Sequence, residues 1–528
     1  MGKYDYQGNP PKLNLKSIWK YVSRRPITLV PDSIPAGVLL SDGTFASRWT
    51  LIFNPFFTLG LMTMKNWLFF IIAFLTWTWD AFDFFSVSLT TTEIAAALDR
   101  PVKDITWGIT LVLMFRAAGG VLFGIPADKY GRKWPFVVNC ICFIALQLGT
   151  GFVQTYKQFL AVRALLGVAM GGIYGNVAAT ALDDCPPECR GIISGMFQLG
   201  YSFGYLLCVV FNQIITYNSP HGWRALFWFG SGPTLLLIIF RLCLPETDTF
   251  IAQQKLKREN AGLRFIHQAK AASKIYWPNF IYLVLFLAGM NFMSHGSQDL
   301  YPTFLKVQLG FSNNATTVTN CVANLGAIAG SFFMGHVSQF LGRRLTIIFC
   351  CILGGALCYP WVYIRGTGIN AAVFFFQFAV QGGWATVPIY ASELSAPEFR
   401  AAIVGTAYQL GNLASSASST IEAKIGAQFP LKDDNGNYIK GKYDYGKVMA
   451  ILLGAVFAYV LLVVFMGPER KNVDFVSDDS NAVGITPAPN KEDFEKGDFD
   501  SHIEKEENTH IEKEENTHIE SSTEDKNS

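Results

Sequence analysis

Gly124-Ile-Pro-Ala-Asp128-Lys129-Tyr-Gly131-Arg132-Lys133 recurs 211 residues later as Gly335-His-Val-Ser-Gln339-Phe-Leu-Gly342-Arg343-Arg344. Both copies close a long apolar run, hold glycine at the same two places and end in two cations. A second pair keeps that offset to within a residue: Pro187-Glu188-Cys-Arg190 answers to Pro397-Glu398-Phe-Arg400, and Gln198-Leu-Gly200 to Gln409-Leu-Gly411. The chain is therefore expected to hold two related halves in tandem. Gly131 allows a tight turn, and Asp128 is placed to cap a helix end and to pair with a nearby arginine such as Arg132. Simple anchoring of the loop by Arg132 and Lys133 is the plainer reading, but it leaves the repeat unexplained. Gln339 stands where the second copy should carry the acid, so a charge pair at Arg343 is expected to be weaker.

A helix that crosses a membrane needs about 20 mainly apolar residues to span roughly 30 Å of hydrocarbon. Twelve runs qualify, near 66–90, 105–125, 134–152, 159–180, 191–215, 223–243, 277–302, 317–338, 345–364, 371–391, 401–422 and 446–466. Only 16% of residues are charged, against about 25% in soluble domains, and those charges collect in the tails and short loops. A soluble core seldom needs twelve helices of such length. The fold class is an all-α membrane protein, with twelve transmembrane helices in two pseudo-symmetric six-helix halves whose outer surface meets the lipid bilayer. The net charge of +2 leaves no footprint for nucleic acid. The ten cysteines are scattered, several within apolar runs (Cys140, Cys142, Cys350, Cys351). They read as packed thiols, not as a disulfide framework or metal site. The chain shows no nucleotide loop, metal cluster or nucleophile–base motif, which argues against an enzyme and against a cofactor.

The expected organisation is a tail over 1–65, a six-helix half over 66–243, a central loop over 244–276, a second half over 277–466 and a tail over 467–528. The first 65 residues show no cleavable signal sequence. Lysine and arginine crowd the N-terminal tail, the Lys129–Lys133 loop, the central loop and Arg343–Arg344, which places both termini in the cytoplasm. The Lys424–Lys447 loop, also basic, is an exception to that rule. Asn314-Ala-Thr316 is the glycosylation sequon that falls in an outer loop, between spans seven and eight. Beyond about residue 470 the chain turns acidic, and His502-Ile-Glu-Lys-Glu-Glu-Asn-Thr509 is repeated from His510. That composition does not bury a core. Its histidines are read as solvated, and the segment as a disordered tail suited to trafficking or ubiquitination machinery.

Chemistry concentrates in Asn291-Phe-Met-Ser294-His295-Gly-Ser297-Gln298-Asp299-Leu-Tyr-Pro-Thr303 of span seven. Asn291, His295 and Asp299 recur every four residues and so share one helix face. Ionisable groups in a membrane helix are expensive and usually face a water-filled path or a partner. A histidine beside a carboxylate is suited to carry a proton. The plainer reading makes Asp299 and Pro302 the end of the helix. Arg116 sits in mid-span, where its fork of donors suits a carboxylate, or else pairs permanently with Asp80 or Asp83 of span one. Those two acids can pair, relay a proton, or do both. In span eleven Gln409 and Asn412 offer neutral hydrogen-bonding groups on one face.

The first repeat resembles the G-x-x-x-D-[RK]-x-G-R-[RK] loop of the major facilitator superfamily, and Arg163-x-x-x-Gly167-x-x-x-Gly171 its span-four signature. Pro245-Glu246-Thr247 resembles the sugar-transporter branch. The superfamily implies a gate in which Asp128, Arg132 and Arg343 make and break pairs as the halves rock. The span-seven run is similar to the N-x-x-[ST]-H-x-[ST]-Q-D-x-x-x-T signature of the fungal lactate permease (Jen) family. That resemblance covers about residues 60 to 470. It implies a plasma-membrane symporter taking up short monocarboxylates such as lactate and pyruvate with a co-transported proton. Asn291, His295, Arg116, Gln409 and Asn412 would meet the substrate, and His295 with Asp299 would couple the proton. Three alternatives remain: a dicarboxylate carrier of the same family, a sugar–proton symporter, and a nutrient sensor that no longer transports. One convincing central arginine, with Arg163 and Arg241 nearer helix ends, favours monocarboxylates.

Overall fold

The structure, a computed structural model, describes residues 45–216, 218–259, 265–366, 368–418 and 438–471, with scattered neighbours 23, 25, 29, 37–39, 421–422, 425, 428–432, 473 and 475. Twelve helices carry the architecture. The first half contains α1 Met64–Leu89, α2 Val102–Tyr130, α3 Lys133–Phe152, α4 Tyr156–Leu182, α5 Arg190–Thr216 and α6 Trp223–Cys243. The second contains α7 Phe265–Gln298, α8 Asn313–Leu341, α9 Arg343–Tyr363, α10 Gly368–Leu394, α11 Arg400–Ser415 and α12 Tyr445–Met466. Eleven of the twelve contain a membrane-length apolar stretch. The exception, α11, is a continuous helix of only 16 residues, and its Gln409, Asn412 and Ser415 dilute its hydropathy.

Local chemistry sets the helix starts. Thr63 and Asn66 form a reciprocal cap on α1, Thr155 and Gln158 another on α4, and Asp444 caps α12 through the Lys447 amide, each satisfying amides that open the helix. Gly131 and Gly342 turn the chain between α2 and α3 and between α8 and α9 with φ of +104° and +89°, a region that side chains with a Cβ avoid.

The halves meet along two seams related by the repeat, α2 against α11 and α8 against α5. Small residues permit the approach. A Cβ on Gly124 would stand 2.6 Å from the Ala402 Cα, and one on Gly195 would stand 2.3 Å from the Ser331 carbonyl oxygen. These tight points lie near Gly131 and Gly342, at the motif end of the bundle.

Several expected boundaries move. The N-terminal tail was expected to run to 65, yet Arg48–Phe53 and Pro55–Gly60 are helices, and His336 Nε2 bonds the Ile52 carbonyl at 3.0 Å. The central loop is largely helical, through Asp248–Glu259 and the start of α7. The C-terminal boundary at 467 falls too early. Arg25 donates to the Gly467 carbonyl at 2.8 Å, Tyr390 to that of Pro468 at 2.7 Å, and Phe475 is buried. Asn314 lies in the first turn of α8 and not in a loop; Ser312 caps that helix, and the Thr316 hydroxyl is turned back on the Ser312 carbonyl at 3.0 Å. The repetitive tail from 476 onward and residues 1–22 lie outside the described residues.

Candidate functional site

A small polar chamber of about 20 Å³ lies between the halves, room for about one water. Asp80 of α1, Arg116 of α2, Asn291 and His295 of α7, and Tyr408 and Asn412 of α11 line it. It adjoins a vestibule of about 620 Å³, and the two share Phe84, Leu113, Tyr201 and His295. Ser88 and Asp299, both exposed, line the vestibule at the end opposite the motifs. His295 thus stands where vestibule and chamber join.

Helix geometry delivers the His295–Asp299 pair. Four residues apart, they face one way, and the His295 Nδ1 lies 3.1 Å from Asp299 Oδ2. The helix ends at Gln298, so Asp299 both ends the helix and bonds the histidine, its amide donating to the His295 carbonyl at 3.0 Å. Asn291 is buried, its side-chain amide donating to the Leu287 carbonyl at 2.8 Å.

Arg116 is 4% exposed. Its Nη2 donates to Asp80 Oδ2 at 3.1 Å and to the Met170 sulfur at 3.4 Å, while Nε has no partner and Asp80 Oδ1 is likewise unpaired. The pair is therefore incomplete on both sides. Asp83 is separate: it accepts from Gln147 Nε2 at 2.7 Å, lies within electrostatic reach of Arg163, and does not line the chamber. Gln409 also stands back. It donates to the Gly171 carbonyl at 3.3 Å and accepts from Asn412 at 3.1 Å, so it positions Asn412 and does not face the chamber.

Sequence reasoning passed over Arg163. It lies about two turns from the start of α4, as expected, yet it is fully buried with all three guanidinium nitrogens unpartnered. Also unanticipated is the floor of the chamber. Tyr174 of the first half stacks on Tyr408 of the second with centroids 3.8 Å apart, and Trp77 and Trp384 abut Tyr408 edge-on at 5.9 and 6.0 Å.

Below that floor the motif end is tied by buried charges. Asp128 pairs with Arg132 and accepts the amides of Ala401 and Ala402 at 3.1 and 2.8 Å, capping α11 of the other half. Asp183 accepts from Arg132 at 3.3 Å and from Arg400 across the seam. In the second half Arg343 binds Glu393 at 3.0 Å and Gln339 at 3.1 Å, and Gln339 in turn donates to the Pro187 carbonyl at 2.9 Å. Glu246 accepts the Lys133 amide at 3.0 Å, and Glu469 those of Arg343 and Arg344 at 3.2 and 3.0 Å. Pro468-Glu469 thus repeats the role of Pro245-Glu246. Asp183 and Glu393 each precede the repeated arginine by seven residues, a signal present in the sequence but not drawn out.

Two six-helix halves, closed at one end and parted by a vestibule at the other around a polar chamber, define a membrane transporter of the major facilitator fold, not an enzyme. The chain belongs to the sugar (and other) transporter family, which it matches over residues 53–275 and 272–479. It is similar to a carboxylic acid transporter protein homolog of Saccharomyces cerevisiae, 41% identical over 443 residues that cover 80% of this chain and 71% of that one. A cis,cis-muconate transport protein of Acinetobacter baylyi is 24% identical over 363 residues, 67% of this chain and 86% of that one. Among solved structures, a proton:xylose symporter shares the fold with a TM-score of 0.63 at 16% identity, covering 77% of this chain and 97% of that one.

Proposed function

We propose that the protein is a proton-coupled symporter that imports short monocarboxylates such as lactate and pyruvate by alternating access. The observation that carries this reading is Arg116, the one permanent cation among the residues lining the chamber, whose fork is only partly used by Asp80. An incoming carboxylate group completes that fork from the vestibule side, while Asn291 and Asn412 supply neutral donors. His295 takes a proton from the vestibule through Asp299 and presents it beside the substrate. Coupling is needed because a lone anion entering a negative-inside cell works against the membrane potential. The vestibule then faces outward and the motif end faces the cytoplasm with both termini, as the distribution of lysine and arginine supports. The Saccharomyces relative supports carboxylate cargo, and the likeness of residues 291–303 to the lactate permease signature supports both that cargo and a plasma-membrane setting.

A dicarboxylate is the second reading. A protonated His295 would offer a second cationic group in the same chamber, across from Arg116. Uptake of labelled lactate and succinate into proteoliposomes, measured across external pH, separates the two. Lactate should accumulate under an inward proton gradient, succinate poorly, and a protonophore should abolish both. Undiminished lactate accumulation in depolarised, pH-equilibrated vesicles would refute the symport reading.

A further inference from the structure

Past Ser415 the chain continuing α11 carries Glu422, which is 1% exposed and whose two carboxylate oxygens both lack a partner. Among the described residues, the groups placed around it are apolar or negative. A Cβ built on Gly296 of α7 would lie 3.2 Å from Glu422 Oε1 and within 3.7 Å of Leu452 and Leu453 of α12, so glycine at 296 leaves space for the carboxyl. The charged group within reach is Asp299 of α7, itself bonded to His295. Neither Leu452 and Leu453 nor the described residues of its own segment (416–418, 421 and 425) offer it a cation.

An ionised carboxylate held away from water without a partner costs several kcal/mol, so this site suits the neutral acid. In the conformation described, Asp299 is exposed to the vestibule and its charge is screened by water. As the vestibule closes that water leaves, and two carboxylates at close quarters do not both stay ionised. We propose that Glu422 must be protonated for the vestibule to close over bound substrate, which makes it a second protonatable group of the transport cycle beside the His295–Asp299 pair. This rests on the symport reading above. His295 would govern how well substrate binds, and Glu422 how readily the loaded carrier closes.

The test is the maximal rate of lactate uptake against external pH, with the full chain in proteoliposomes. In the wild type the rate falls on the alkaline side, by up to about tenfold per pH unit for each proton required. Glu422→Gln, permanently neutral, should keep its acid-side rate and its KM but lose one proton's worth of that fall, and Glu422→Asp should restore it. An unchanged alkaline limb in Glu422→Gln overturns the proposal. A second measurement decides the matter if that variant fails to reach the membrane. With Ser88→Cys as a vestibule reporter, saturating lactate should protect the thiol from alkylation at acid pH and not at alkaline pH; equal protection at both overturns the proposal. A wild type whose lactate uptake ignores pH overturns the symport reading as well, whereas pH-dependent uptake with an unaltered Glu422→Gln profile removes only this inference.

Discussion

Asp183→Asn is the substitution that most directly probes how the halves are held at the motif end. Asp183 is buried and serves two arginines: its Oδ2 accepts from Nε and Nη2 of Arg132, each at 3.3 Å, and its Oδ1 accepts from Nη1 of Arg400 in the other half. The Arg132 arm lies within one half and survives when the halves part. Only the Arg400 arm is lost on opening. A hydrogen bond to a charged partner contributes about 1.5–3 kcal/mol net, so the asparagine should weaken the closed motif end relative to the open one by about 2 kcal/mol, roughly 30-fold in population. The fold should survive, because Asp128 still pairs with Arg132 and still caps α11. A reporter at Ala179→Cys, packed against Ala127 and Ala401 at the seam, reads the open population through its alkylation rate once the ten native cysteines are replaced. That rate should rise by about the same factor. Arg400→Gln should raise it at least as much, because it also gives up the Phe475 ring, and adding Asp183→Asn to Arg400→Gln should change little, since the bond between the two is already gone. A reporter rate unchanged in a folded Asp183→Asn protein would refute the assignment of this pair to the gate.

Arg116→Lys keeps the charge opposite Asp80 but not the fork, so uptake should fall about 10- to 100-fold with surface expression retained; wild-type lactate affinity in that variant would remove Arg116 from the substrate site. Gly131→Ala meets both a φ of +104° and a Cβ 2.5 Å from Glu246 Oε2, and should destabilise the detergent-solubilised protein by about 1–2 kcal/mol. Gly232→Ala, with open space around it, should leave the Tm unchanged or raise it. Burial, helped by the positive field of Arg343, pushes the Lys471 ammonium down to about 8. The unfolded chain therefore holds more protons than the folded one between about pH 8 and lysine's ordinary 10.5, and stability rises with pH across that window. Lys471→Met should flatten that rise, as read by Tm at pH 7.5 and 9.5.

The repeat made the two halves and the turns at Gly131 and Gly342 legible, because a tight turn leaves its mark on a single residue. The His295–Asp299 pair was legible for a similar reason, since four-residue spacing on a helix is local. Partners between helices were not. Nothing in spacing says that Asp80 takes Arg116 while Asp83 takes Gln147, for both acids lie on one helix and the choice depends on how α1 packs against α2 and α3. Gln409 is expected at the substrate from its polarity and the family resemblance, but neither reveals which face of α11 turns toward α4. Arg163 does lie near the start of α4, but position along a helix does not reveal that its guanidinium is fully buried. The segment from 467 was read with the acidic tail that follows it. Its few anchoring residues, Glu469 and Phe475 among them, are too sparse to shift a compositional average.

The two seams of the motif end are not equivalent, and the sequence difference between the repeats explains how. On the α2–α11 side the ties are ionic: Asp128 caps Ala401 and Ala402, and Asp183 holds Arg400. On the α5–α8 side the residue answering to Asp128 is Gln339, whose tie to the other half is a neutral bond to the Pro187 carbonyl. Charged hydrogen bonds are roughly twice as strong as neutral ones, so more of the closing energy resides at the first seam. Phe475 redresses part of that imbalance. Its ring lies between the guanidinium groups of Arg190, at the start of α5, and Arg400, at the start of α11, at 3.7 and 3.8 Å, and its carbonyl accepts from Gln253 at 2.8 Å. Arg190 and Arg400 are the repeated arginines, one from each half, so a single residue beyond the last helix touches both seams. Parting the halves at this end therefore separates at least one guanidinium from that ring. The cost of opening is set by residues of the loops and the last helix's extension as much as by the helices they join.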